Sequence, residues 1–237
     1  MSFDISKTCS DYLRSIVLAD AGAKLQASHA RELVAAYFGY KSHAALLAEK
    51  AYPVDALGQA SLLVPDIPLI EQRRGKLEGL PAGIYPSFGI ASKISDFLVA
   101  QHYFKGKVQL SDSLENYVVE DLLREEDAQI MDLLSGVMAE TNAEFGSEFG
   151  QYEVTETDVG EDVVTVTIQG EYYGSADTER PFCGDQIDVM GTVELPRIAG
   201  RVAFAVPDIS MTGEVNQDWV DPELRFGTPE VQPGQQE

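Results

Sequence analysis

Val164-Thr165-Val166-Thr167-Ile168-Gln169 alternates apolar and polar side chains with period two, and this stretch decides the fold class. Successive side chains of an extended strand point to opposite faces. Strict alternation therefore puts Val164, Val166 and Ile168 on a buried face and Thr165, Thr167 and Gln169 in water. One parity also runs through Ile187, Val189, Val193 and Leu195, and through Val202, Phe204 and Val206. Tyr152 and Val154 suggest a further strand. Turn formers lie between them, in Asp158-Val159-Gly160-Glu161-Asp162 and in Ala199-Gly200. Together these segments predict a four-stranded antiparallel meander with one buried face. The cover for that face stands just upstream. Ile130, Leu133, Leu134, Val137 and Met138 recur at helical spacing behind Glu125-Glu126-Asp127, acids suited to the positive end of a helix. Before them, Ser113 is placed to cap a helix bearing Tyr117, Val118, Leu122 and Leu123. Residues 111–220 thus read as helices packed on a meander, and the fold class as α+β. The tail 221–237 has Pro222, Gly227, Pro229, Pro233 and Gly234 and no periodicity, so it reads as mobile.

The first half reads as helical. Tyr12, Leu13, Ile16 and Val17 fall between a cap at Ser10 and a stop at Gly22. Ser28 opens the next helix, with Glu32 near its start and Leu33, Val34, Tyr37 and Phe38 as its apolar stripe. Gly39 ends it, and Ser42 caps a short helix with Ala44, Leu46 and Leu47. Residues 1–50 form a small module. Residues 51–110 form a helical connecting region. Pro65-Asp66-Ile67-Pro68 opens one helix there, a breaker-rich loop spans 80–89, and Ile94, Phe97, Leu98 and Tyr103 mark another helix.

The run Lys24-Leu25-Gln26-Ala27-Ser28-His29-Ala30-Arg31-Glu32-Leu33, continuing to Glu49, resembles the short helical glyoxalase-related domain of bacterial proteins, which is often carried on plasmids and genomic islands. The likeness rests on Ser28-His29, Glu32-Leu33, Phe38-Gly39-Tyr40 and the His43-to-Leu47 helix, and covers residues 24–50. Where many members have an aromatic residue before the last helix, this chain has His43. The resemblance implies a bacterial, mobile-element setting. It carries over no catalytic residue. The later strands contain no histidine, so the ligand set of a metal-dependent glyoxalase is missing.

Charge divides the chain at the same place as the fold pattern. Of 237 residues, 17 are basic and 39 acidic, a net charge of −22. Residues 1–110 carry a net +2; residues 111–237 carry −24 and no lysine. A surface so acidic repels nucleic-acid phosphate and anionic membranes, and steers basic proteins toward itself. The reading that follows is a non-enzymatic acidic interaction protein for a basic partner, in one version as a mimic of DNA; a second copy of the chain is the other partner considered. The first alternative is a DNA-binding regulator. Residues 30–50 have helix-turn-helix spacing, and Lys41, Ser42, His43, Lys50, Arg73, Arg74 and Lys76 would supply its polar and basic contacts. Nucleic acid is then a partner of the N-terminal half only.

The second alternative is an enzyme built on residues 173–185, a connection too long for a simple hairpin. Asp177, Glu179, Arg180, Phe182, Cys183 and Asp185 are its candidate residues, read equally as an interaction loop. A reactive Cys183 needs a base or cation beside it, and Arg180 is the local cation. No HExxH, CxxC, P-loop, GxGxxG or GxSxG pattern occurs, so no cofactor and no metal are expected. Two distant cysteines, no leader pattern and no apolar run of spanning length lead to the expectation of a cytoplasmic protein that does not enter membranes.

Overall fold

The computed structural model describes residues 4–146, 150–176, 179 and 184–218. Helix α1 (Ile5–Ala21) begins at Asp4, whose side chain accepts from the Lys7 N–H, and ends at Gly22 in the left-handed region. Ser10, expected as the cap, lies inside this helix, where its buried hydroxyl donates to the Ser6 carbonyl at 2.8 Å. Helix α2 (Ala27–Tyr37) starts one residue before Ser28, with Gln26 at the cap position. Ser42 does cap α3 (His43–Ala48), accepting from the Ala45 N–H at 3.1 Å. A 3-10 turn (Val54–Gln59) leads to β1 (Leu62–Leu63). Asp66 then caps α4 (Ile67–Lys76), accepting from the Leu69 N–H at 2.8 Å. Helix α5 (Ser87–Ala100) and β2 (Lys107–Val108) complete the first half.

Ser113 accepts from the Asn116 N–H at 3.1 Å and opens α6 (Leu114–Asn116), which runs through a π turn (Tyr117–Leu122) into α7 (Leu123–Glu125). Helix α8 (Asp127–Met138) follows. The remaining strands are β3 (Ala143–Glu144), β4 (Gln151–Val159), β5 (Val163–Tyr173), β6 (Ser175–Ala176), β7 (Gln186–Ala199), β8 (Ala203–Phe204) and β9 (Asp208–Val215).

The protein is α+β, but the sheet is larger than the four strands expected. It has seven strands and is mixed, in the order β2-β1-β8-β7-β5-β4 with β9 on β7. β4, β5, β7 and β9 pair antiparallel, as do β1 and β8; β1 and β2 pair in parallel. The expected strand over 202–206 shrinks to β8, and Val206 is 70% exposed. The last long strand is instead β9. The cause is the length of β7. Its residues Ile187–Glu194 pair with β9 and Arg197–Ala199 pair with β8, so one edge serves two partners; a register shift between Arg197 and Ala199 lies within the β8 pairing. β3 and β6 form a separate two-stranded ribbon.

The two halves share their interior. Val164, Val166, Ile168, Ile187, Val189, Val193 and Leu195 form the sheet's buried face, covered by Tyr117, Val118, Leu122, Ile130 and Leu134, and joined by Leu62 and Val64 of the first half. Gly213 lets α8 settle closely on β9: a Cβ there would lie 3.1 Å from Leu134 Cδ2 and 2.7 Å from Ile187 Cγ2. The helical core around Tyr37, Leu33, Ile70, Ile90 and Leu98 takes in Ala199, Val202 and Ala203 of the second half. Backbone bonds cross the same boundary, from Ser61 N–H to the Phe204 carbonyl and from Arg201 N–H to the Phe38 carbonyl.

The Phe38-Gly39-Tyr40 turn is where the N-terminal module meets the β7–β8 turn. Gly39 has φ +83°, and a Cβ on it would lie 2.8 Å from Arg201 Cβ. Strain and collision coincide, so Gly39→Ala should cost about 1–3 kcal/mol in urea unfolding. An unchanged midpoint would show that the turn does not dock as described.

Beside it, Glu49 accepts from Tyr40 Oη at 3.0 Å and from the Ala51 and Tyr52 N–H groups at 2.9 and 3.2 Å. Burial pushes the Glu49 carboxyl up, but these hydrogen bonds outweigh it and hold the group below its usual range. A lowered carboxylate contributes stability above its unfolded value, and that contribution is lost as pH falls through the folded one. Glu49→Gln should therefore melt lower than the wild type at neutral pH, with the gap closing in acid. A constant gap across that range would contradict the assignment.

Candidate functional site

The helices cover one face of the long antiparallel strands, and among the described residues the other face stays open. Register places its side chains in rows across β4, β5, β7 and β9. Gln151, Glu171, Asp188 and Glu214 lie side by side. The next row is Glu153, Gln169, Met190 and Thr212; then come Glu156, Thr167, Thr192 and Ser210. The last is Asp158, Thr165, Glu194 and Asp208. Neighbours within a row sit about 5 Å apart, and the end rows are separated by roughly 20 Å, six residues of strand.

Eight carboxylates thus share one face: Glu153, Glu156, Asp158, Glu171, Asp188, Glu194, Asp208 and Glu214. All are exposed except the half-buried Glu171. No Lys or Arg occurs in β4, β5 or β9, and none in β7 before Arg197. A register shift between Val154 and Glu156 makes the set possible. Glu153 and Glu156 have opposite parity, and the extra residue Thr155 turns both outward.

This arrangement opposes stability. Asp188 stands directly between Glu171 and Glu214, and like charges facing across strands are destabilising. Among the described residues the row is served by neutral donors. Asn216 Nδ2 lies 2.9 and 3.1 Å from the two Asp188 oxygens, Gln186 Nε2 donates to Asp188 at 3.3 Å, and Tyr173 Oη donates to Glu171. Gln169 donates to Glu153 in the next row. Among the described residues none of the eight carboxylates makes an ion pair. They are spread in rows and do not converge, and among the described residues no group of three or more His, Cys, Asp or Glu is arranged to hold a metal ion.

The residues singled out from sequence fall elsewhere. In the 173–185 segment, Asp177, Arg180, Phe182 and Cys183 lie outside the described residues. Glu179 is exposed. Asp185 is half-buried, and its carbonyl accepts from the Gly174 N–H at 2.6 Å. Cys9 is fully buried; burial, then the nearby Asp4, push its thiol up to about 12, so it is a packing residue and not a nucleophile.

In the basic set, Arg73 is bound to Glu32 at 2.6 Å and Arg74 to Glu71 at 2.7 Å. Both are thereby turned toward carboxylates of the first half. Lys41, Lys50 and Lys76 are exposed, and Ser42 is engaged as the α3 cap. The His43 N–H points to Glu32 Oε1 at 3.3 Å. The tail 221–237 lies outside the described residues. No helix among the described residues is long and apolar enough to cross a membrane.

The acidic face was only half legible in the sequence. Its carboxylates are visible there as a surplus, but their alignment depends on β9 and on the β4 irregularity, neither of which alternation reveals. No family model matches the chain, and neither a curated protein nor a solved structure matches it.

Proposed function

We propose that the protein is a non-enzymatic binding protein whose open sheet face takes a basic protein partner. The observation that carries this reading is the eight-carboxylate face, with no cation in it among the described residues, set on four paired strands. A polypeptide does not gain stability from aligned like charges, so their alignment is explained by a partner that neutralises them. The two dense end rows, with Thr, Ser, Gln and Met between them, favour a partner surface with two lines of Lys or Arg. A protein that binds duplex DNA offers such lines, and the face would then stand in for phosphates. The bacterial, mobile-element setting rests on the likeness of residues 24–50 alone. The DNA-binding alternative is weakened by the ion pairs of Arg73 and Arg74.

Titration with a fluorescent arginine-rich peptide at about 0.05 and about 0.5 M salt tests the proposal. Exposed charges are screened over a few ångströms at the higher salt, so affinity should fall about tenfold or more. Binding indifferent to salt, or no binding at low salt, sinks it.

A further inference from the structure

Within the acidic half, two neighbouring arginines make no ion pair among the described residues, as Arg31 of the first half also makes none. Arg14, Arg73, Arg74 and Arg124 each hold a carboxylate. Arg197 on β7 and Arg201 in the β7–β8 turn make no ion pair among the described residues, in a chain with 39 acidic side chains. Arg197 Nη1 donates to the Glu161 carbonyl at 2.8 Å, while its Nε–H is buried without a partner. The Arg201 guanidinium rests on the Tyr40 ring, 5.2 Å from its centroid. Burial first, then Arg201, lower the pKa of Arg197, against the opposing pull of Tyr40, Tyr52 and Glu49. The Nε–H groups of Arg73 and Arg74 are likewise buried without a partner, but those guanidiniums hold carboxylates, whereas Arg197 feels Glu49 without a salt bridge to it.

These arginines open on a cavity of about 400 Å³ between the N-terminal module and the sheet. Val64, Pro65 and Leu69 form one wall, and Val164, Val202 and Phe204 the other. Lys41 adds a third cation. Asp66 and Glu115 also border the space, but Asp66 already accepts from the Leu69 N–H. The same arginines also border a polar recess of about 380 Å³, lined by Gly160, Gly200, Tyr52 and the acidic Glu49 and Glu161. The space is in the size range of small-molecule sites, which are mostly apolar with a few convergent polar groups. Guanidinium forks match the oxygens of carboxylate and phosphate.

We propose that this cleft binds a small amphiphilic organic anion, with its oxyanion head between Arg197 and Arg201 and its apolar body against Pro65, Leu69 and Phe204. The unpartnered Arg197 Nε–H donates to the head, and the anion relieves the repulsion between the two cations. The cleft is separate from the carboxylate face, so the site stands or falls independently of the basic partner.

Calorimetric titration of the full chain with octyl phosphate and with octanoate tests it, with octanol and inorganic phosphate as the two half-probes. At least one alkylated anion should bind one-to-one, about tenfold or more tighter than either half-probe. Saturation by octyl phosphate alone assigns a phosphate head, and by octanoate alone a carboxylate head. Arg201→Gln should weaken binding about tenfold. Arg201 is exposed and its side chain caps no element, so this variant should stay folded, losing at most the small stabilisation of its contact to the Tyr40 ring; Leu69→Glu, in the apolar wall, should weaken binding as well. The proposal is overturned if neither alkylated anion saturates, if octanol or phosphate alone binds as well, or if folded Arg201→Gln binds unchanged.

Discussion

Replacing Phe204 by Ala is expected to unfold both halves of the protein in one transition, at a cost of about 3–5 kcal/mol. Phe204 is 1% exposed and lies on β8, the two-residue strand that joins the first half's β1 to the second half's β7. Its carbonyl accepts from the Ser61 N–H at 2.9 Å, and its ring packs in the cluster that holds Leu62 and Val64 beside the sheet residues. Removing the ring opens a cavity where the halves meet, and domains of this size have only about 5–15 kcal/mol in hand. Because each core contains residues of the other half, neither can lose its packing alone. Helical circular dichroism and tyrosine fluorescence should give coincident urea transitions in the wild type and in Phe204→Ala, with the variant's midpoint well below. Two separated transitions, with the helical signal surviving the sheet's loss, would refute the shared interior.

The triple variant Glu171→Gln, Asp188→Asn, Glu214→Gln should melt higher than the wild type and bind a basic peptide more weakly. Two directly opposed like-charge pairs, Glu171–Asp188 and Asp188–Glu214, disappear. Each such pair is worth a few tenths of a kcal/mol to about 1, so the gain should be about 1 kcal/mol, or a few degrees in melting temperature. Amide side chains keep the acceptor that Asn216 and Gln186 use at Asp188. A gain in stability with a loss of affinity separates a functional acidic face from a merely solvated one. If the triple variant binds the arginine-rich peptide as tightly as the wild type, the face is not the binding surface. If it melts lower, the row is stabilising and the reasoning from opposed charges fails.

The particular elements show what was legible. β5 and most of β7 declare themselves through alternation, because one face is buried and the other is wet. The caps at Ser42 and Ser113 are local, a hydroxyl satisfying an N–H three residues on, and sequence suffices to place them. Asp4 in place of Ser10 was missed because any small polar residue ahead of an apolar run looks like a cap. β1 and β2 have two residues each, too short to show a period. β9 was hidden because Gly213 interrupts its apolar parity where α8 needs room. The acidic rows needed register, which turns on one extra residue at Thr155. Arg197 and Arg201 were unremarkable in the sequence; that they make no ion pair among the described residues is a property of three-dimensional neighbours.

The sequence by itself determined the α+β class, the helical first half, the buried face of the central strands and the concentration of negative charge after residue 110. Each follows from composition or from a period that survives without long-range contacts. Only the tertiary structure decided that the halves are one interior, that the sheet has seven strands, that eight carboxylates align on its open face, and that two arginines share a cleft. Those facts depend on which edge of β7 meets which partner. That pairing is settled by packing between residues more than a hundred positions apart, such as Leu62 and Phe204, for which a linear pattern carries no signal.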